Sequence, residues 1–133
     1  MRVPTTWILL LCLLAGVGCS KQKSTPELIG DLKSPMGGDR VVAARLLQNR
    51  KGDPAQVVPA LIEALKDKEN DVRWSAAIGL GYFGEHAKDA IPALQQAQHD
   101  PDARVREAAG VALSRIDPAR FPNASRTRPA QGN

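Results

Sequence analysis

The sequence predicts an all-α protein, a short α-solenoid of antiparallel helix pairs with about five to six helices. The main observation is a repeat: from Leu28 to Ile116 the chain matches itself at a constant offset of 33 residues, without a gap. A fixed period of roughly 20 to 50 residues is typical of solenoids, in which each unit buries its apolar face only against its neighbours. A second observation is the aromatic content of only 4%, which fits a core of Ala, Leu and Val between closely packed helices. The positions that coincide in successive units include Pro26, Pro59 and Pro92; Leu28, Leu61 and Leu94; Arg40, Arg73 and Arg106; and Leu47, Leu80 and Leu113.

The fullest unit is predicted to open with a long helix. Asn70 or Asp71 can cap this helix, because a side-chain oxygen there accepts a hydrogen bond from a free backbone N–H. The apolar spacing continues to about Phe83. Gly84 comes next and is expected to end the helix in the left-handed conformation, which glycine adopts without steric cost.

The second helix of each unit is predicted to begin at a proline. Proline is tolerated in a first helical turn, where its missing N–H has no partner to lose. The aligned units therefore predict helices from Ile91–Pro92 to about His99 and from Val58–Pro59 to about Lys66. The remaining predicted helices are a shortened second-type helix at residues 26–29, a first-type helix at 39–48, and a last one capped by Asp102 that runs to about Arg115. The predicted order is half a unit, two full units and half a unit.

The N-terminal segment, residues 1–18, is predicted to be a secretory signal peptide. Its stretch from Trp7 to Val17 is almost wholly apolar, but a bilayer-spanning helix needs about 20 such residues. The end of the segment, residues 14–20, resembles the lipobox of bacterial lipoproteins, and this resemblance implies that Cys19 is lipidated. The sequence departs from that pattern at Gly16, where an aliphatic residue is usual. The alternative is an ordinary signal peptide that is cleaved without acylation.

The rest of the chain divides by composition into a tether, a folded domain and a tail. Residues 19–25 are a polar tether, residues 26–118 form the repeat domain, and residues 119–133 are predicted to be disordered. The whole chain has a formal charge of +4, but the domain holds twelve Lys and Arg against fourteen Asp and Glu. No basic face is present to neutralise several phosphates, so we expect no nucleic-acid partner. Both cysteines, Cys12 and Cys19, precede the domain, which excludes disulfides and thiol chemistry from it.

Three segments of the domain carry a distinctive signature: VPALIEALKD at residues 58–67, DVRWSAA at 71–77 and VREAA at 105–109. They closely resemble HEAT repeats of the type found in phycobilisome lyases, and the resemblance covers nearly all of residues 26–117. It implies an armadillo-like α-solenoid. It says less about function, because this repeat serves many binding roles. The sequence departs from the pattern at Asp39, where a Val is expected.

The resemblance also implies a structural ladder of charged residues. In this ladder each Asp caps the next helix and each Arg bridges adjacent repeats. Here Asp67 and Asp100 precede Arg73 and Arg106 by six residues. A shielded hydrogen bond between charged groups contributes roughly 1.5 to 3 kcal/mol, so a ladder of this kind serves stability rather than catalysis.

No pattern in the sequence points to catalysis or to a cofactor. His86 and His99 do not recur in the repeat and have no Cys or carboxylate at metal-ligand spacing, so no metal site is predicted. Ser75 and Ser114 lie at helical positions without a nearby His, which leaves no activated nucleophile. We therefore expect a protein that is not an enzyme and needs no cofactor.

One helical stripe breaks the regularity of the repeat. Trp74, Ile78 and Tyr82 are spaced by four residues and share one side of the first-type helix. Trp and Tyr are enriched where proteins bind one another, so this stripe is the candidate partner-binding surface. The alternative is that Trp74 simply packs over a neighbouring helix. The residues in the same register of the sister helices are Val41, Arg45 and Asn49, and Glu107, Val111 and Arg115.

These features predict a non-enzymatic, lipid-anchored scaffold of the bacterial cell envelope that binds another protein. The residue after Cys19 is Ser20 rather than Asp, which in a Gram-negative cell would imply the outer membrane, with the domain facing the periplasm. Two alternatives from other classes remain: an accessory subunit of a bilin-lyase-like enzyme, suggested by the repeat type, and a self-assembling protein that associates through its uncovered terminal helix. The sequence does not identify the partner.

Overall fold

A computed structural model describes residues 22–122, and this range contains six α-helices and one 3₁₀ helix but no β-strand. The prediction of a short all-α solenoid is confirmed. The helices, numbered in chain order, are α1 (Thr25–Asp31), α2 (Gly37–Leu47), α3 (Pro54–Ala64), α4 (Asn70–Phe83), the 3₁₀ helix (Gly84–Ala90), α5 (Ile91–Ala97) and α6 (Ala103–Ile116). None of these helices is long and apolar enough to cross a bilayer.

The helices form two layers. The first-type helices α2, α4 and α6 lie side by side, with α4 in the middle contacting both neighbours. The second-type helices α1 and α3, together with the 3₁₀ helix and α5, form the other layer and pack against the first. This arrangement follows from the repeat, because each first-type helix has one apolar face for its own unit and one for the next.

The core lies between the layers and repeats with the period of the sequence. Leu28, Leu61 and Leu94 of the second-type helices are completely buried, as are their first-type counterparts Leu47, Leu80 and Leu113. Replacing a leucine at such a site with alanine typically costs about 2 to 5 kcal/mol. The leucines that recur every 33 residues in the sequence are therefore the buried residues of the core.

Glycines allow α4 to approach its neighbours closely. A Cβ atom added to Gly79 would lie 3.0 Å from Leu61 Cδ1 of α3, and one added to Gly81 would lie 3.1 Å from Ala112 Cα of α6. The second contact is with backbone, which cannot move aside as a flexible side chain can. The spacing between α4 and α6 therefore depends on small residues.

Several predicted helix ends were wrong by a few residues. The cap of α4 is Glu69, since Asn70 is already helical and uses its side chain elsewhere. Helix α3 begins at Pro54 instead of near Pro59, which lies exposed in its second turn. Gly84 has the positive φ that was expected, 51°, but its ψ of −129° is not that of a left-handed helix. The chain continues from there into the 3₁₀ helix, which the sequence did not predict.

Candidate functional site

The stripe of Trp74, Ile78 and Tyr82 lies on the outer side of α4, the middle helix of the first-type layer. Trp74 and Ile78 are partly buried and pack against the core, whereas the side chain of Tyr82 is 48% exposed. The two interpretations of the stripe, packing over a neighbouring helix and binding of a partner, therefore apply to different parts of one surface. The Trp74 end of the stripe contributes to packing, and the Tyr82 end is open to solvent.

A groove of about 320 Å³ runs beside the stripe, between α4 and α6. Small residues line the floor of this α4–α6 groove, and they allow the two helices to approach closely there. The stripe forms one wall, and residues of α6 that include Val111 form the other. The groove is thus mostly apolar, and its volume is enough for one or two aliphatic side chains of a partner. Its floor consists of Ala77, Gly81, Ala108 and Ala112.

Two arginines lie over the aromatic rings of the stripe. The Arg45 guanidinium of α2 lies 5.7 Å from the ring centre of Trp74, and that of Arg115 in α6 lies 5.3 Å from Tyr82. Both distances are within the range of a cation–π interaction. Within residues 22–122 neither arginine forms an ion pair with a carboxylate. Of the two, only Arg115 lines the α4–α6 groove, together with Arg104 and Glu107, whereas Arg45 contacts the stripe from α2.

The two arginines were not identified as site residues from the sequence, although the repeat contains the necessary signal for Arg115. Arg45 occupies the register of Ile78 in the preceding unit, and Arg115 occupies that of Tyr82 in the following one. Because equivalent helices lie side by side, residues one period apart face each other across the layer. The period therefore places Arg115 beside the Tyr82 ring, whereas the counterpart of Trp74 is Val41, and Arg45 reaches the Trp74 ring from one helical turn away.

A third arginine, Arg104, belongs to an ion-pair cluster at one end of the groove. It binds Asp71 of α4 at 2.9 Å and Asp102 at 3.2 Å. Asp102 also caps α6 by accepting the N–H of Arg104, and it accepts the side-chain amide of Asn70. The hydrogen bonds from Arg104 hold the pKa of Asp102 at about 2, well below its ordinary value of 3.8. This cluster ties α4 to α6 at neutral pH.

On the side of the loops that precede the first-type helices, charged residues form rungs between successive units. The Arg40 guanidinium binds both carboxylate oxygens of Asp67, at 2.7 and 2.9 Å. Arg73 binds Asp100 with the same two distances. Each guanidinium also donates to the backbone of its own loop, as Arg73 does to the carbonyl of Asp67. Each arginine thus joins two consecutive loops.

The aspartates of these rungs do not cap the helices in the expected way. Asp67 Oδ1 accepts the N–H of Glu69, and Asp100 Oδ1 accepts that of Asp102, in the turn ahead of each helix. Burial opposes the ionisation of Asp67, but its hydrogen bonds outweigh burial and lower its pKa. The hydrogen bond from Arg73 lowers the pKa of Asp100.

Arg106 occupies the third position of this series and differs from the other two. It is exposed, and it donates to the backbone carbonyls of Asp100 and Pro101 at 2.7 and 3.0 Å. Its Nε and remaining nitrogen have no carboxylate acceptor within residues 22–122. The third rung is therefore half-formed in the described part of the chain.

The remaining sequence-predicted residues lie apart from the groove. His86 and His99 are both exposed, and no group of three or more potential ligands in residues 22–122 could hold a metal ion. Ser75 is buried, so it is not accessible to a substrate. Cys19, the predicted lipidation site, lies outside the described residues, as do the signal peptide and most of the C-terminal tail.

Comparison with known proteins identifies the fold family. No curated protein sequence matches this chain. Among solved structures, it is similar to a chain in the complex of CpcE and CpcF of phycocyanin lyase from Nostoc sp. PCC7120, with 30% sequence identity and a TM-score of 0.66. The match covers 75% of this chain but only 40% of the other, so this chain spans well under half of its relative. The family of HEAT repeats matches residues 25–119, and this chain belongs to that family.

Proposed function

We propose that this chain is a non-enzymatic, lipid-anchored scaffold of the bacterial cell envelope, which binds a partner protein at the α4–α6 groove. The observation that carries the proposal is the groove itself, where an apolar surface lies between the aromatic stripe and Arg115, and where Arg45 lies over the Trp74 ring of the same stripe. Aromatic and arginine side chains supply much of the affinity in protein interfaces. A partner segment that places an apolar side chain in the groove and a carboxylate beside it would match both features.

The similar solved chain supports a role in protein association, because it comes from a complex of two proteins. Solenoids commonly bind along the surfaces of their stacked helices. In this chain the α4–α6 groove is the apolar part of such a surface, whereas the loops between the helices are occupied by charged rungs.

The membrane anchor is a separate part of the proposal and rests on the sequence alone. An acylated Cys19 would hold the domain at the membrane through a short tether, and several acyl chains together give stable attachment. Ser20 favours the outer membrane, with the domain facing the periplasm. The groove could bind its partner without this anchor, so the two parts can be tested independently.

Affinity capture with matched variants tests the binding site. The detergent-extracted full chain is used as bait, and Tyr82→Ala and Trp74→Ala are compared with wild type. Tyr82→Ala is the cleaner change, since its side chain is 48% exposed and its loss should cost little folding stability. Val42→Ala is the control, because Val42 is 56% exposed on α2 but lies outside the groove.

We expect one protein to be retained by wild type and by Val42→Ala but lost with both groove variants. A hot-spot residue contributes about 2 kcal/mol or more to binding, so the affinity should fall at least about thirtyfold. Thermal melting separates this from misfolding, because a core tryptophan replaced by alanine would cost about 3 to 5 kcal/mol of stability. Partner binding that survives both substitutions in the groove would contradict the proposed site.

A second candidate is an accessory subunit of a bilin-lyase-like enzyme, favoured by the likeness to the phycocyanin lyase chain. Its test is direct: the purified chain is mixed with a bilin and with a candidate apoprotein, and pigment binding is followed by absorbance. Bilin transfer that depends on this chain would favour the lyase role, and its absence together with capture of an envelope protein would favour the scaffold.

A further inference from the structure

Large apolar side chains that are exposed to solvent concentrate on one helix of the domain. In residues 22–122, three of the four such side chains belong to α2 or to the residue before it: Met36 is 66% exposed, Val42 56% and Leu46 43%. Val42 and Leu46 are four residues apart and therefore lie on the same side of α2. We refer to Met36, Val42 and Leu46 as the α2 strip. Exposed apolar patches with a polar rim mark surfaces that bind a protein or a membrane.

The α2 strip faces away from the rest of the domain. The positions one and two periods after Leu46 are Gly79 and Ala112, both buried. Gly79 of α4 lies beside Gln48 of α2, and Ala112 of α6 lies beside Gly81 of α4. This register is therefore the side of each first-type helix that faces the preceding one. In α2, the first helix of this layer in residues 22–122, the same side is open and carries the apolar residues of the strip.

The residues around the α2 strip are not suited to the docking of another helical repeat. At three positions where the interior units hold buried apolar residues, the first unit holds polar ones. These are Ser24, Asp31 and Asp39, in the registers of Val57, Ala64 and Val72. Both carboxylates have partners in their own unit, since Asp31 binds Lys23 at 2.7 Å and Asp39 accepts the hydroxyl of Ser34 at 2.9 Å. A repeat stacked on this end, from another protein or from a second copy, would bury two carboxylates, which is costly without new cationic partners.

The charge of the domain is divided between its two ends. Residues 22–53, which include α1 and α2, hold six Lys and Arg against four Asp and Glu, a net charge of +2. Residues 54–122 hold eight against ten, a net charge of −2. Lys33 and Lys51 lie in the turns before and after α2; both are exposed, and neither forms an ion pair within residues 22–122. The α2 strip is thus flanked by two lysines that attract an anionic surface.

The path of the chain brings the proposed anchor toward the same helix. Arg50 follows α2, one helical turn after Leu46, and donates to the backbone carbonyl of Lys23. Cys19 precedes Lys23 by four residues, which span at most about 14 Å when fully extended. An acyl chain on Cys19 would therefore enter a bilayer within reach of the Leu46 end of the strip.

The size of the α2 strip favours a bilayer over a protein as its occupant. A standard protein interface uses about 20 to 30 residues on each side. The strip offers three apolar residues between two lysines, which is far fewer. A bilayer beside an existing anchor needs less contact, because an acyl chain and a second weak membrane contact act together.

We infer that α2 is the membrane-facing side of the domain, with Val42 and Leu46 in the interfacial layer of an anionic bilayer and Lys33 and Lys51 beside the lipid head groups. This inference rests on the proposed lipid anchor and adds an orientation to it. Because α4 and α6 follow α2 in the first-type layer, at spacings of about 8 to 10 Å, the α4–α6 groove lies away from the bilayer and open to a partner.

A fluorescent probe on the surface of the domain tests this orientation without requiring acylation. The full chain carries Cys12→Ser and Cys19→Ala, so that one added cysteine is the only site for a nitrobenzoxadiazole label. A run of histidines inserted after Ser20 attaches the chain to vesicles through a nickel-chelating lipid. The vesicles contain phosphatidylcholine with or without phosphatidylglycerol, and a nitroxide-labelled lipid serves as quencher. Attachment is verified by flotation, and folding by circular dichroism.

The label is placed at Leu46→Cys, with His86→Cys in the 3₁₀ helix and Glu107→Cys in the groove as control sites. All three side chains are exposed, so these substitutions should leave the fold intact. On vesicles with phosphatidylglycerol we expect the label at position 46 to emit at shorter wavelength and to be quenched, and the two control labels to show neither effect. Lys33→Gln combined with Lys51→Gln should lower the ratio of membrane-contacting to free domain at least about tenfold, because each lysine near an anionic surface strengthens binding about fivefold.

Each contrary result overturns the inference. Equal quenching at all three sites would show that the domain has no fixed orientation, and quenching only at a control site would show that another surface faces the bilayer. An unquenched label at position 46, on chains that float with the vesicles, would show that α2 stands clear of the membrane. A shift of this label in solution that grows with protein concentration would show that a second copy covers the strip. Acylation of Cys19, measured separately in the wild-type chain, decides the proposed anchor and not the orientation.

Discussion

The rung between Arg73 and Asp100 offers a quantitative test of what holds the solenoid together. Asparagine at position 100 keeps the size of the side chain and one oxygen but removes the negative charge. The side chains of this pair are only 15% and 8% exposed, so solvent screens them weakly. The change would leave the Arg73 guanidinium partly buried without its counter-ion, although its bonds to the backbone of the preceding loop remain.

The expected cost of Asp100→Asn follows from these contacts. Hydrogen bonds between charged groups contribute about 1.5 to 3 kcal/mol, and breaking a fully buried pair costs about 3 to 5 kcal/mol. Since Arg73 keeps its backbone bonds and some exposure, we expect a loss of about 2 kcal/mol. For a domain of this size that corresponds to a fall in Tm of roughly 8 to 16 °C.

Urea unfolding followed by circular dichroism measures this loss, and the repeat provides the control. Arg106→Gln alters the same register in the next unit, where no carboxylate pair exists in the described residues, so it should cost under about 1 kcal/mol. A double variant that combines Asp100→Asn with Arg73→Gln removes both members of the pair. Its loss of unfolding free energy should be smaller than the sum of the losses in the two single variants. If Asp100→Asn unfolds like wild type, or if Arg106→Gln destabilises equally, the rungs do not contribute as argued.

Three further predictions concern acid stability, packing and the anchor. The pKa values of Asp67, Asp100 and Asp102 are lowered in the folded chain. The stability that these carboxylates contribute is therefore complete above the ordinary pKa of 3.8 and is lost as the pH falls from about 4 toward 2. The free energy of unfolding measured across this range should decline with falling pH, and a flat profile would contradict the proposed role of the ion pairs. Gly81→Val should destabilise the domain by about 1 to 3 kcal/mol in urea unfolding, because its side chain would meet the backbone of α6, and an unchanged midpoint would mean that the helices can separate freely. Cys19→Ala should release the protein from the membrane fraction and abolish acyl labelling, and continued attachment would refute the lipid anchor.

The core of this fold could be predicted from the sequence because the repeat encodes it directly. A position that is apolar in each of three units, such as that of Leu47, Leu80 and Leu113, has the same neighbours each time and is buried each time. The family resemblance indicated the charged rungs because their Asp and Arg residues also recur at the same positions of successive units. Which arginine binds which aspartate depends on the stacking of whole units, and the structure pairs each arginine with the next loop.

Helix ends and cross-helix contacts could not be predicted in the same way, because they break the repeat. Pro54 begins α3, but its counterpart one period later is Ala87, where the chain forms a 3₁₀ helix with a non-helical residue. Asp53 precedes α3 yet leaves its helix uncapped, since its carboxylate accepts the Thr25 hydroxyl at 2.6 Å. Arg45 reaches Trp74 only because its long side chain crosses from α2 to α4.

The position of Trp74 has a practical consequence for studying this protein. The chain has two tryptophans, Trp7 and Trp74, and only the second belongs to the folded domain. Removal of a signal peptide over residues 1–18 would leave a single tryptophan, at the wall of the α4–α6 groove and beneath the Arg45 guanidinium. The wavelength of its emission, excited selectively over Tyr82, and its quenching by iodide would then report on the surroundings of the groove wall. The protein would carry a built-in optical probe for occupation of its own binding surface, with no label required.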